Sequence, residues 1–300
     1  MRRHLLAAGL GALALAMAPA LALGQQSNGA GALAGATNGA IVAQQASAGH
    51  GGASSQSGSA TQVAPVAPAP AVAVQAAPVN VNLPIRVASP GNSGEVSQSN
   101  DSAARAEASN AAVVEQDAAA GGHAKKGSGG SVSQSGGATQ VAPVAVAPAI
   151  RAQVVPVNAN VPVRVLSPGD DGDVSQSNDA SARAQAGNEA MVAQQARAGH
   201  GGAVSQSGSA TQVLPVAIAP AISAQVLPVN ANVPVRVLAP GDDGAVDQSN
   251  ASTARARAGN EAVVAQQARA GHGGAVSQSG SATQVLPIGL APAVSAQLVP

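Results

Sequence analysis

The chain of 300 residues contains no cysteine, phenylalanine, tyrosine or tryptophan. Without cysteine there is no disulfide scaffold, no thiolate metal site and no cysteine nucleophile. Without aromatic rings the chain lacks the side chains that supply much of the buried area in globular cores. It also has no platform on which nucleic-acid bases could stack. Charge is scarce too, with only 9% of residues ionisable as Asp, Glu, Lys or Arg, and no basic patch for a phosphate backbone. Nucleic acid is therefore excluded as a partner.

What is present is mostly small. The 45% hydrophobic fraction is largely Ala and Val. An Ala core buries little area per residue and offsets little of the backbone ordering entropy. This argues against an ordinary globular enzyme. No G-x-S-x-G elbow occurs, and no Ser–His–Asp set stands out from the abundant Ser. The sequence therefore points to no enzyme, no catalytic residue and no cofactor.

Residues 1–22 read as a signal peptide. Arg2 and Arg3 precede an apolar run from Leu5, and Ala18, Ala20 and Ala22 supply a small-residue exit. Cleavage after Ala20 or Ala22 would remove two of the 14 basic residues, leaving a slight acidic excess. The expectation is export to the cell surface or beyond, by the general or the twin-arginine route, with no membrane span once the leader is gone.

The remainder is repetitive. The triplet QSN recurs at Gln26, Gln98, Gln176 and Gln248, with spacings of 72, 78 and 72. These starts divide the chain into repeats 23–97, 98–175, 176–247 and 248–300, the last without the segment that closes the other three. Such an array predicts one elongated tandem structure.

The stretch Gln248–Ala268 looks helical by composition, being rich in Ala, Arg, Gln and Glu. Its charges decide otherwise. Arg255, Arg257 and Glu261 all fall on odd positions, as do Asp179, Arg183, Glu189 and Arg197 one repeat earlier. A helix would scatter them around its surface, whereas a strand places them all on one face. A break is expected at Ala258–Asn260, because twenty residues exceed an ordinary strand. Further strands are expected at 275–284, 215–226 and 229–237. In the last, the valines are read as one face, with Asn230, Asn232, Pro234 and Arg236 outward, and its proline favours an edge or isolated segment. The fold class is all-β: a tandem-repeat β-solenoid or stacked β-arch of amyloid-like character, with Pro/Gly-rich, partly disordered connections and about three coils per repeat.

Amide side chains inside such a stack find partners when identical residues lie one strand spacing apart. The submotif N-x-A-x-x-x-Q occurs in all four repeats. Its members Asn38 and Gln44, Asn110 and Gln116, Asn188 and Gln194, and Asn260 and Gln266 are candidate assembly ladders. The submotif resembles the second half of the curlin repeat, the strand–turn–strand unit of extracellular curli fibres. The segments PVNVNLP (78–84), PVNANVP (156–162) and PVNANVP (228–234) are similar to those of chaplins, surface-active coat proteins of filamentous actinobacteria. Together these resemblances imply a secreted, self-associating surface protein, with the cell wall or surface as a further partner.

The repeat histidines His50, His123, His200 and His272 each stand alone in a Gly-rich loop, short of a metal-ligand set. The acidic run at 168–173 reads as a turn rather than a calcium loop, since the first repeat has Asn92-Ser93 at that place. Two other functions compete with self-association: a largely disordered wall or coat segment, and a weak glycan-binding module.

Overall fold

The computed structural model describes residues 25–48, 52–91, 94–120 and 130–298. The expected signal peptide, His50 and His123 lie outside them. The described chain is all-β, built from parallel sheets whose strands recur in register.

Each repeat forms one flat rung. The first contains β1 (Gln25–Ala48), β2 (Ser54–Val63), β3 (Val66–Pro68), β4 (Ala71–Ala76), β5 (Val79–Asn82) and β6 (Ile85–Val87). The second contains β7 (Val96–Ala120), β8 (Val132–Val141), β9 (Val144–Val146), β10 (Ala149–Val154), β11 (Val157–Asn160) and β12 (Val163–Val165). The third contains β13 (Val174–Ala198), β14 (Ala203–Val213), β15 (Val216–Ile218), β16 (Ala221–Val226), β17 (Val229–Asn232) and β18 (Val235–Val237). The fourth contains β19 (Val246–Ala270), β20 (Ala275–Val285), β21 (Ile288–Leu290) and β22 (Ala293–Leu298).

Equivalent strands stack in parallel, one sheet per column. The rise is thus one rung per repeat, not the three coils expected. The reason is the length of the first strand. β19 runs straight through Ala258–Asn260, with no turn at the expected break. Gly259 pairs in register with Gly187, and Asn260 is held by its column partner Asn188. Pairing along 25 residues keeps extended a segment too long to be stable alone. At about 3.3 Å per residue such a strand is about 80 Å long.

The rest of each rung folds back over this long strand as a second layer. Gln44 Nε2 reaches Ser57 O at 2.9 Å, Asn38 Nδ2 reaches Val66 O at 2.7 Å, and Gln26 Nε2 reaches Val81 O at 3.1 Å. The six extra residues of the second repeat fall between Ala120 and Val132, and every column on either side stays in register.

The long-strand layer keeps one parity throughout. Its even positions face inward, and all its charges face out. The return layer does not. Ala64, Ala77 and Ala88 adopt φ of 47–50°, as do the equivalent residues of the later rungs at 48–52°. Each such residue precedes a proline or lies two before one, and each flips the inward parity. Inward positions are even along β8, odd along β9 and β10, and even again along β11 and β12. The expected faces of 229–237 are thereby reversed. In the equivalent second-rung segment Asn158, Asn160 and Arg164 are buried, and the valines form the outer surface. β17 and β18 lie at the edge of their three-stranded sheets, as the proline favoured, but the equivalent second-rung strands are central. The ladder continues around Pro162, with Val161 N donating to Asn82 O and Val163 N to Pro84 O, both at 2.8 Å.

The core between the layers is almost wholly Ala at its centre. Ala104, Ala106 and Ala108 pack against Ala67, Ala69, Ala71 and their counterparts above and below. Toward the far end Val114 and Val192 take over, and they face glycines. A Cβ on Gly136 would lie 3.1 Å from Val192 Cγ1 and 3.2 Å from Val114 Cγ1, so the valine column needs a glycine column opposite.

Candidate functional site

The sequence places an amide at the same inward position of every rung, and in-register stacking turns each such set into a column. The Asn38 column runs Asn38 to Asn110 at 3.0 Å, Asn110 to Asn188 at 2.8 Å and Asn188 to Asn260 at 2.7 Å. The Gln44 column runs Gln266 to Gln194 at 2.7 Å, and Gln194 to Gln116 and Gln116 to Gln44 at 2.8 Å each. All eight candidate ladder residues therefore lie in two continuous hydrogen-bonded columns.

The glutamines of the second column also bridge the layers. The second N–H of Gln116, Gln194 and Gln266 is donated to the carbonyls of Ser135, Ser207 and Ser279 across the core, at 2.9–3.0 Å. Buried amides cost free energy only when unpaired. Here both donors are used, so a polar interior is tolerated where an Ala core could not reach across.

Sequence reasoning singled out two columns; the structure has more. Glutamine columns start at Gln26, Gln56, Gln62 and Gln75, and asparagine columns at Asn28, Asn80 and Asn82. The signal was available: any Asn or Gln recurring at the same repeat position on the inward face. Past the first kink at Ala64 the parity flips hide which face is inward, whereas Gln26, Asn28, Gln56 and Gln62 precede it and share the even parity of Asn38 and Gln44.

The columns have opposite polarity. In every inward glutamine column the upper rung donates to the lower, as Gln176 does to Gln98 and Gln225 to Gln153. In every asparagine column the lower donates to the upper, as Asn28 does to Asn100 and Asn80 to Asn158. The fourth-rung end therefore presents glutamine acceptors and asparagine donors. The first-rung end presents the reverse.

Arginine forms a third kind of column, Arg86, Arg164 and Arg236, on the inward face where the rung turns. Arg164 is 1% exposed and pairs with Asp171 at 2.8 Å. The same carboxylate reaches Arg236 of the next rung at 2.8 Å, and Arg236 also meets Asp243 at 2.9 Å. The hydrogen bonds that Arg236 donates to Asp171 raise its pKa above the ordinary arginine value. Asp170 and Asp173 accept the backbone N–H groups of Asp242 and Ala245, both at 2.8 Å. These acids are used in joining rungs, which agrees with the turn reading of 168–173.

One buried cation is poorly partnered. Arg151 replaces the Ala73, Ser223 and Ser295 of its column and is wholly buried. Its Nη2 donates to Asp179 O at 2.8 Å, but Nε and Nη1 find no hydrogen-bond acceptor among the described residues. Burial lowers its pKa to about 10, against the pull of Asp101 and Asp179.

His200 and His272 stack edge to face, with ring centroids 5.8 Å apart. Among the described residues no three His, Asp or Glu side chains converge as a metal site, and no helix is long and apolar enough to cross a membrane. The arrangement has the means to hold rungs together and to accept another rung at either end. No family model, curated protein or solved structure matches the chain.

Proposed function

We propose that this is an exported, non-enzymatic structural protein of the cell surface that self-associates end to end, the first rung of one copy seating on the fourth rung of another. The observation that carries the reading is the pair of edges at the two ends of the described stack. Strand β1 is 24 residues long and contains no charge and no proline, the devices that normally blunt an exposed edge. Strands β19–β22 offer the same columns as β1–β4, and the opposite amide polarities at the two ends are complementary. The signal-peptide pattern of residues 1–22 supports export, and the curlin-like submotif is in keeping with an extracellular fibre.

The test is electron microscopy and fibre diffraction of the purified mature chain, with immunogold labelling of the producing cell. The expected outcome is surface filaments with a reflection at about 4.7–4.8 Å along the filament axis. A chain that stays monomeric at every concentration, or that is retained inside the cell, overturns the reading.

A further inference from the structure

The outer surface of the return layer is unusual for a protein in water. Along the second rung its outward residues are Val144, Val146, Pro148, Ile150, Ala152, Val154, Val157, Ala159, Val161, Val163 and Val165. The third rung repeats the pattern with isoleucine at Ile218 and Ile222. No polar or charged side chain interrupts it. The polar groups of these strands, including Arg151, Arg164, Gln153 and Asn158, all point inward and are buried. The layer is inside out: amides and guanidinium groups within, aliphatic side chains without.

The patch has defined borders. Beyond one end lie the outward Ser133, Ser135 and Thr139 of β8 and their counterparts in the other rungs. Beyond the other lies the acidic loop 168–173. An apolar centre with a polar rim is the anatomy of a protein interface. The strand and rung spacings give a face of about 50 Å by about 15 Å, or about 750 Å². Exposed apolar patches on monomers seldom exceed 300–600 Å². Two such faces in contact would bury about 1,500 Å², the size of a standard stable interface.

We infer that this face is covered by the same face of a second copy, so that two molecules pair back to back into a four-layered body. Columns of like residues make the face a set of regular ridges and grooves at the strand spacing. Such ridges interdigitate with an identical set, as in dry sheet-to-sheet contacts. The patch carries no charge, so an identical face is met without like-charge repulsion. The contact is isologous and closes after two copies. It uses the outward face and not the strand edges, so it stands independently of end-to-end growth.

The absence of cysteine makes the test clean. Single thiols are introduced by Ile222→Cys at the patch and by Ala103→Cys on the outward face of the long-strand layer, and their alkylation by a maleimide is followed together with sedimentation velocity. The expected result is a species of at least two copies in which the thiol from Ile222→Cys reacts at least tenfold more slowly than that from Ala103→Cys, the ratio given by about 1.4 kcal/mol of pairing free energy. The double variant Ile150→Lys/Ile222→Lys should sediment as single copies, or form filaments half as thick, with an unchanged circular dichroism spectrum. Equal alkylation rates overturn the inference, as does a lysine variant of wild-type mass or thickness. Monomers that bind phosphatidylcholine vesicles through this face also overturn it and assign the face to lipid. Pairs without filaments would leave the inference standing while removing the end-to-end reading. Filaments one molecule thick with a reactive patch thiol would do the opposite.

Discussion

The two layers of each rung solve the same problem in opposite ways. The long-strand layer is straight, free of proline and of one parity, with Ala, Asn and Gln inside and all its charge outside. The return layer is kinked at left-handed residues, rich in proline and changes parity at each kink, with amides and arginine inside and aliphatic residues outside. Both present small side chains and hydrogen-bonded amide columns inward, with buried arginine added only in the return layer. Their outer faces differ most. The inward face is therefore set by packing, and the outward face is left to set solubility and partners.

The sharpest way to break this comparison uses two adjacent residues. Ala104 is 2% exposed and faces the Ala core, while Ala103 points to water. Ala104→Glu buries a carboxylate without a partner and should cost several kcal/mol, on the order of 4, whereas Ala103→Glu should be nearly neutral. Urea midpoints of the two variants decide. Equal effects would mean that parity does not govern the layer.

A second contrast should change sign between the layers. Val114→Gly empties a core position and should destabilise by about 3 kcal/mol. Val155→Gly relieves a β-branched residue held at φ 50° and should stabilise by up to about 1 kcal/mol. Thermal unfolding of both variants measures this.

Third comes the buried cation. Arg151→Ser installs the residue found at Ser223 and Ser295 and removes an incompletely paired charge, so stability should rise by about 1–3 kcal/mol. The pH dependence carries the same sign. The folded-state pKa, about 10, lies below the ordinary arginine value, so the unfolded chain holds its proton more tightly. Wild-type stability should then increase as pH climbs above about 10, and the variant should lose that increase. A variant less stable than wild type at pH 8 would show that Arg151 holds its rung in place.

The smallest effect concerns Asp179, which stacks on Asp101. Its pKa is raised by partial burial and by Asp101, against the pull of Arg151. A carboxyl raised above its unfolded value binds protons more readily in the folded chain, so stability should gain slightly as pH falls through the folded pKa. Asp179→Asn should remove that gain, measured as the urea midpoint between pH 7 and pH 4.

The same contrast explains what could be read from the sequence. In the long-strand layer the odd positions of Arg183, Glu189, Arg255 and Glu261 reveal the strand and its faces, because nothing interrupts the period of two. The columns of Asn38 and Gln44 are legible for the same reason. Length was not legible. Strand statistics argue for a break at Ala258–Asn260, and only register with Gly187 and Asn188 keeps that segment extended. In the return layer, Val155 and Leu166 carry no sign of a left-handed backbone, since each would ordinarily be read as a strand residue. A reader who misses those flips inverts every face after them. Hence the burial of Asn158 and Arg164 and the exposure of the valines both escape a reading by alternation.

In-register pairing also has a consequence for how such a gene can change. A duplication or loss of one whole 72-residue period adds or removes a rung whose columns already match both neighbours. Recombination between repeats would then be almost silent for packing, and the number of rungs could drift freely in a population. A shift by any other length would misalign every amide column at once, unless it fell in a turn. The six additional residues between Ala120 and Val132 leave the columns on either side in register.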